Sequence, residues 1–218
     1  WITLGLGIVN AFFLVRIFII QHDCGHRSFL KSNRWNNVVG FVCSIFSSIP
    51  FKYWAKVHDF HHTHAGQLET REIGDIDFLT VKEYQALPRW RQIGYRIFRM
   101  PILLFLIVPI LYLVYINRFP IRFYKKKNVF LRQLGNNLII LGIYIIFALL
   151  LGWKAFLMIQ LPIVTGFMCI AFWFFYIQHQ HEFAYKHWKD NWDYLLSAIK
   201  GSTYYKLPRP LQWLSGSI

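Results

Sequence analysis

Apolar and polar stretches alternate along this chain, and their lengths sort the apolar ones into two kinds. Residues 1–20 are apolar apart from Thr3, Asn10 and Arg16, long enough for a helix to cross a hydrocarbon core of ~30 Å. Runs 138–153 and 155–177, joined at the corner Gly152-Trp153-Lys154, are further membrane-spanning candidates. Run 38–51 is apolar but too short to span comfortably, and run 101–116 is interrupted by Pro101 and Pro109 and leads to the block Lys125-Lys126-Lys127, whose cytoplasmic placement would keep it from crossing. Tyr53-Trp54 follows the first short run as an interfacial aromatic pair. Residues 69–100 are polar and basic and predict an amphipathic stretch on the membrane surface. The basic segment Arg118 to Arg132 and the mixed stretch 183–218 are expected outside the bilayer. The pattern predicts an all-α integral membrane protein forming a single domain over 1–218. Its spans are expected at about 1–20, 138–153 and 155–177, with 38–51 and 101–116 not crossing the membrane, the first dipping in and returning or lying at the interface.

Composition agrees with that class. The chain is 56% hydrophobic and 19% aromatic with a mean hydropathy of +0.34, more apolar than a soluble domain sustains. A formal charge of +14 first suggests nucleic acid. The basic residues, however, flank the apolar runs (Lys31 and Arg34, Arg89 to Arg99, Arg118 to Lys127), where they mark the cytoplasmic side and attract anionic head groups. No nucleic-acid partner is expected. The three cysteines, Cys24, Cys43 and Cys169, are odd in number and imply no disulfide framework. The chain opens inside an apolar run without Met and closes at Gly216-Ser217-Ile218, so it reads as an internal piece of a longer protein.

The chemistry gathers in three histidine clusters set against apolar runs: His22-Asp-Cys-Gly-His26, His58-Asp-Phe-His61-His62 and Gln178-His179-Gln-His181-Glu182. On a helix, HxxxH sets two imidazoles at i and i+4, and HxxHH sets three at i, i+3 and i+4, each group on one face. Imidazoles at a membrane boundary need partners, and a metal ion satisfies several at once. His64, His181 and His187 fall outside the pattern and read as interfacial or supporting histidines. The stripe Phe172-Trp173-Phe174-Phe175-Tyr176 reads as lipid-facing or core packing ahead of an acyl tunnel.

These boxes, with His22 to Phe29 reading HDCGHRSF, Gly74-Asp75, Thr80 to Tyr84, Phe175 to Gln180, and Gly201 to Pro208, resemble the membrane fatty-acid desaturase family, bacterial acyl-lipid branch. The resemblance covers nearly the whole chain. It implies a histidine-box di-iron helical bundle with a cytoplasmic cap, incomplete at both ends of this chain. It implies two non-haem iron ions held by His22, His26, His58, His61, His62 and His179, which act with O2 to place a cis double bond in the acyl chains of membrane lipids. An external donor of ferredoxin or cytochrome b5 type would supply electrons. Asp75 and Glu182 are candidates to accept a hydrogen bond from a ligating imidazole, or are ordinary solvated carboxylates. The family's third histidine box is expected just past Ile218, so the chain alone is expected to be inactive.

If the boxes share one site, they lie on one face of the membrane. Run 38–51 then dips and returns, and 138–177 goes out and back, on the cytoplasmic side of a bacterial membrane. A full crossing at 101–116 is the competing topology. Competing functions are a related hydroxylase or ketolase, a membrane metal transporter, and a bis-histidine haem carrier. A transporter would hold its histidines near the midplane, and a haem carrier would not need HxxHH.

Overall fold

The computed structural model describes residues 1–120 and 127–217. The Lys125-Lys126 part of the basic block that bears on orientation lies outside the described residues. The elements, in order, are α1 (Ile2–Gly25), α2 (Asn33–Ser47), α3 (Phe51–His64), α4 (Val81–Ala86), α5 (Arg89–Phe98), α6 (Leu103–Ile116), α7 (Lys127–Leu151), α8 (Trp153–His179), α9 (Tyr194–Lys200) and α10 (Arg209–Leu214). No strand ladder forms among the described residues; one isolated bridge pairs Gln67 with His187.

Three of these helices are long and apolar enough to cross a membrane: Ile2–Gly25, Asn128–Leu151 and Trp153–His179. The pairs α2–α3 and α5–α6 would each count as one more only if taken together, and they bend by 102° and 59° at their breaks. The α2–α3 break follows from its sequence. Ser48 adopts a left-handed φ of 57° at the end of α2, and Pro50 precedes α3. Proline cannot extend a helix through its own missing N–H. In α6, Pro109 lies between two π-helical turns, Leu103–Ile107 and Tyr112–Ile116.

Helix α7 begins well before the apolar run 138–153, because its polar first turns have partners. Gln133 donates to the Asn117 carbonyl, Asn137 donates to Arg118 O (2.8 Å), and Arg118 returns a bond to Asn137 Oδ1 (3.2 Å). Part of the basic stretch expected outside the bilayer, Asn128 to Arg132, is thereby helical, and Gln133 is buried. Gly152, with φ of 81°, turns the chain from α7 into α8.

The core lies where α1 crosses α8. Ala11, Leu14, Val15 and Ile19 of α1 meet Phe167 and Met168 of α8, with Ile49, Trp54 and Leu113 closing the sides. Gly166 permits the approach: a Cβ there would lie 2.9 Å from the Ala11 Cβ. Small residues let membrane helices pack closely where no hydrophobic drive separates them from lipid. Next to the core, the fully buried Gln21 donates to Ile49 O (3.0 Å) and accepts from Ser47 Oγ (2.7 Å). A buried amide left unpaired costs about 1–3 kcal/mol, so this clamp fixes the end of α1 against the α2–α3 corner.

Candidate metal centre

Box one ends α1. His22 lies in its last turn, and His26 is the first residue past it. Box two is wholly inside α3, and His179 is the last residue of α8. With the Gln21 clamp one residue before His22, the two boxes face each other across a short gap. The His22 ring lies 4.7 Å from that of His58, and His26 lies 5.0 Å from His58 and 4.7 Å from His62.

Four of these histidines form a tight set. One ligating nitrogen from each of His22, His26, His58 and His62 lies within 4.8 Å of the others, and His58 Nε2 and His62 Nε2 are 3.0 Å apart. His61 lies beside them on α3, 5.5 Å from the His62 ring, and its Nε2 lies 3.4 Å from His179 Nε2. The six sequence-predicted histidines thus converge as four and two. Imidazole clusters suit zinc, copper, iron or nickel, and converging neutral nitrogens are the donor set such ions need.

The surroundings hold these rings in place. Asp23 Oδ1 lies 3.0 Å from His22 Nδ1, a carboxylate–imidazole contact that fixes which ring nitrogen faces the cluster. Trp54 stacks on His58 at 4.6 Å, and Phe175 lies 5.4 Å from His61 and 5.0 Å from His179. These rings wall the site with apolar surface. The edge of His26 reaches solvent, but desolvation of its packed side, followed by the neighbouring His22 ring, holds it below the ordinary imidazole value; Asp23 and Asp59 pull the other way. It is therefore a neutral donor near pH 7.

The cap pins α8. Thr203 donates from its backbone N to Gln178 O (3.0 Å) and from Oγ1 to Ile177 O (3.0 Å). The Gly201-Ser-Thr segment therefore seals the C-terminal end of the helix that presents His179. Gly74, at φ of +81°, packs on α3; a Cβ there would lie 2.8 Å from the His61 Cβ and 3.1 Å from Val57 O. Trp192 Nε1 donates to Ala65 O (2.9 Å), and Leu68 N and His187 O pair at 3.0 Å, closing the cap over the end of α3.

The remaining candidates are placed elsewhere. Asp75 accepts from Ile76 N (2.7 Å) and Gln180 Nε2 (3.4 Å); burial raises its carboxyl, while Lys186, the Ile76 N–H, Gln180 and Arg99 pull it back. It thus supports the residue after His179, and no contact between it and an imidazole is seen. Glu182 is exposed. His64 stacks on Phe60 at 4.0 Å, and His187 serves the cap through its backbone. His181 buries its Nε2 without a hydrogen-bond partner. In the sequence Asp23 is only a neighbour of the histidines, and the roles of Gln21 and Trp54 follow from contacts between helices that spacing does not show.

The chain matches the family described as Fatty acid desaturase over residues 1–218. It is 40% identical to a Fatty acid desaturase of Bacillus subtilis (strain 168) over all of this chain and 61% of that protein. It is 35% identical to a sn-1 oleoyl-lipid 12-desaturase of Synechocystis sp. over 46% of this chain and 26% of the relative. A third relative from the same organism, a sn-1 acyl-lipid omega-3 desaturase (ferredoxin), is 38% identical over 26% of this chain and 16% of its own length. The chain spans about three fifths of the Bacillus relative and smaller shares of the others.

Proposed function

Because the chain belongs to the fatty acid desaturase family, we propose that the protein containing it is an O2-dependent acyl-lipid desaturase of the bacterial cytoplasmic membrane. In the proposed reaction two adjacent methylenes of an acyl chain each lose one hydrogen to leave a cis double bond. One O2 becomes two waters, with two electrons from an external donor and two protons. The observation that supports this reading most is the convergence of His22, His26, His58 and His62 within 4.8 Å, beside the His61–His179 pair. An all-imidazole set fits non-haem iron, which when bound supplies the oxidising power for an unactivated C–H bond that side chains lack.

The chain's own residues do the rest. His22, His26, His58 and His62 would hold one ion, and His61 and His179 would contribute to a second, for which two imidazoles are too few. Asp23 orients His22. Trp54 and Phe175 keep water from the rings and present an apolar wall to the acyl chain. The lipid substrate and ferredoxin-type donor in the names of the relatives agree with a substrate that already resides in the bilayer. We place the histidines on the cytoplasmic side, with α1, α7 and α8 crossing and the bent pairs α2–α3 and α5–α6 entering and returning. The pairing of Asn117 and Arg118 with Gln133 and Asn137, two to three turns into α7, supports an α6 that stops short of the far side.

Expression of the full-length protein in a host without the activity tests this reading. Gas chromatography–mass spectrometry of membrane fatty acids should show a new cis double bond that disappears with His61→Ala. Hydroxy or keto products would move the function to a related oxygenase.

A further inference from the structure

Helix α5 is amphipathic in an unusual place. At 3.6 residues per turn, Gln92, Tyr95 and Arg99 fall on one side, and Trp90, Ile93 and Ile97 on the other. The first side is tied into the molecule: Tyr95 OH accepts from Leu79 N (3.2 Å), and Arg99 donates to Asp77 O (3.3 Å) and to Tyr176 OH of α8 (3.2 Å). The second side is largely open to the surroundings. Trp90 is 68% exposed, Ile93 57% and Ile97 47%. This apolar strip continues through Met100 onto Ile102 and Leu106, the outward side of the helix that enters the bilayer.

Arginines border the strip on both sides, Arg89 and Arg96 on one and Arg91 on the other, and all three are exposed. Arg91 lies over the Trp90 ring at 5.0 Å, and Arg96 donates to Tyr84 OH at 2.6 Å. The helix contains no acidic residue. The nearby Glu83 is already bound by Arg71 at 2.6 Å, so the arginines keep their charge for something outside the molecule. Apolar side chains bordered by cations, on a helix turned 59° from α6, match a bilayer surface that carries negative head groups.

We propose that α5 docks on an anionic phospholipid surface, with Trp90, Ile93 and Ile97 inserted at the head-group level and Arg89, Arg91 and Arg96 paired with lipid phosphates. The docked helix holds Arg99 against Tyr176, one turn before His179. This rests on the membrane setting proposed above and not on the desaturation chemistry, so it can fail while that reading stands.

The test is hydrogen–deuterium exchange of the full-length protein in nanodiscs of phosphatidylcholine alone and of an equimolar mixture with phosphatidylglycerol. Amides of 89–98 should exchange roughly tenfold more slowly in the anionic discs. The difference should shrink as salt is raised and disappear in R89E/R91E/R96E. Equal exchange in the two discs overturns the proposal without any variant having to fold. So does protection that appears only when an acidic ferredoxin is added, since the arginines would then serve the electron donor.

Discussion

The four-histidine set and the His61–His179 pair lie side by side on α3 but depend on different things. The set joins two short local motifs, each arranged by the helical repeat, across a gap fixed by the Gln21 clamp. The pair joins residues 118 positions apart. It depends on the Gly74 loop against His61 and on the 201–203 segment that ties down the end of α8. The first arrangement should tolerate changes in the cap, and the second should not.

The largest effect is expected at His58, whose ring neighbours His22, His26, His61 and His62. In the full-length protein His58→Ala should abolish product and lower bound metal, read by fatty-acid profiling and by metal analysis. Asp23→Asn should weaken the four-histidine site by about 10–100-fold in metal affinity and leave the pair's surroundings unchanged, which titration with a metal chelator would show.

Much of the four-histidine site was legible beforehand because helical spacing is a local property. His22 and His26 share one helix face, and His58 and His62 another, by sequence distance alone, while the meeting of the two pairs is set by how α1 packs on α3. The fold class was legible for a similar reason: runs 1–20 and 155–177 are long and apolar enough to span, and 138–153 joins the second at a tight corner. What sequence did not reveal depends on distant partners. The start of α7 near residue 127 follows from Gln133 and Asn137 finding Asn117 and Arg118, whereas hydropathy alone marks the helix only from 138. Asp75 adjoins a family-like glycine and was a reasonable candidate to orient an imidazole, yet the chain brings Gln180 to it. The break at Ser48 carried only a weak signal, a proline two residues on.

Smaller effects sharpen the contrast from the side of the pair. Gly74→Ala adds a Cβ at a positive φ and close to His61, and should cost about 1–3 kcal/mol. Activity should fall while metal at the four-histidine site remains, which thermal unfolding and metal content would separate. The same loop is fastened by Arg71 and Glu83 at 2.6 Å. The hydrogen bond from Arg71 lowers the Glu83 carboxyl from 4.5 to about 2. A depressed carboxylate stabilises fully above its unfolded value, so this contribution holds above 4.5 and is lost as pH falls from there towards 2. At about 1 kcal/mol or less for a surface pair, Glu83→Gln should barely change the melting temperature at pH 7, and that small difference should shrink below pH 4.5 and vanish only near pH 2.

The most direct test of the four-and-two division is bound iron per chain in the full-length protein, measured by mass spectrometry for the wild type, H58A and the double variant H61A/H179A. The account predicts that the double variant makes no product but keeps the iron at His22, His26, His58 and His62, whereas H58A loses that iron. Equal iron loss in both variants would contradict it, because the six histidines would then act as one indivisible site.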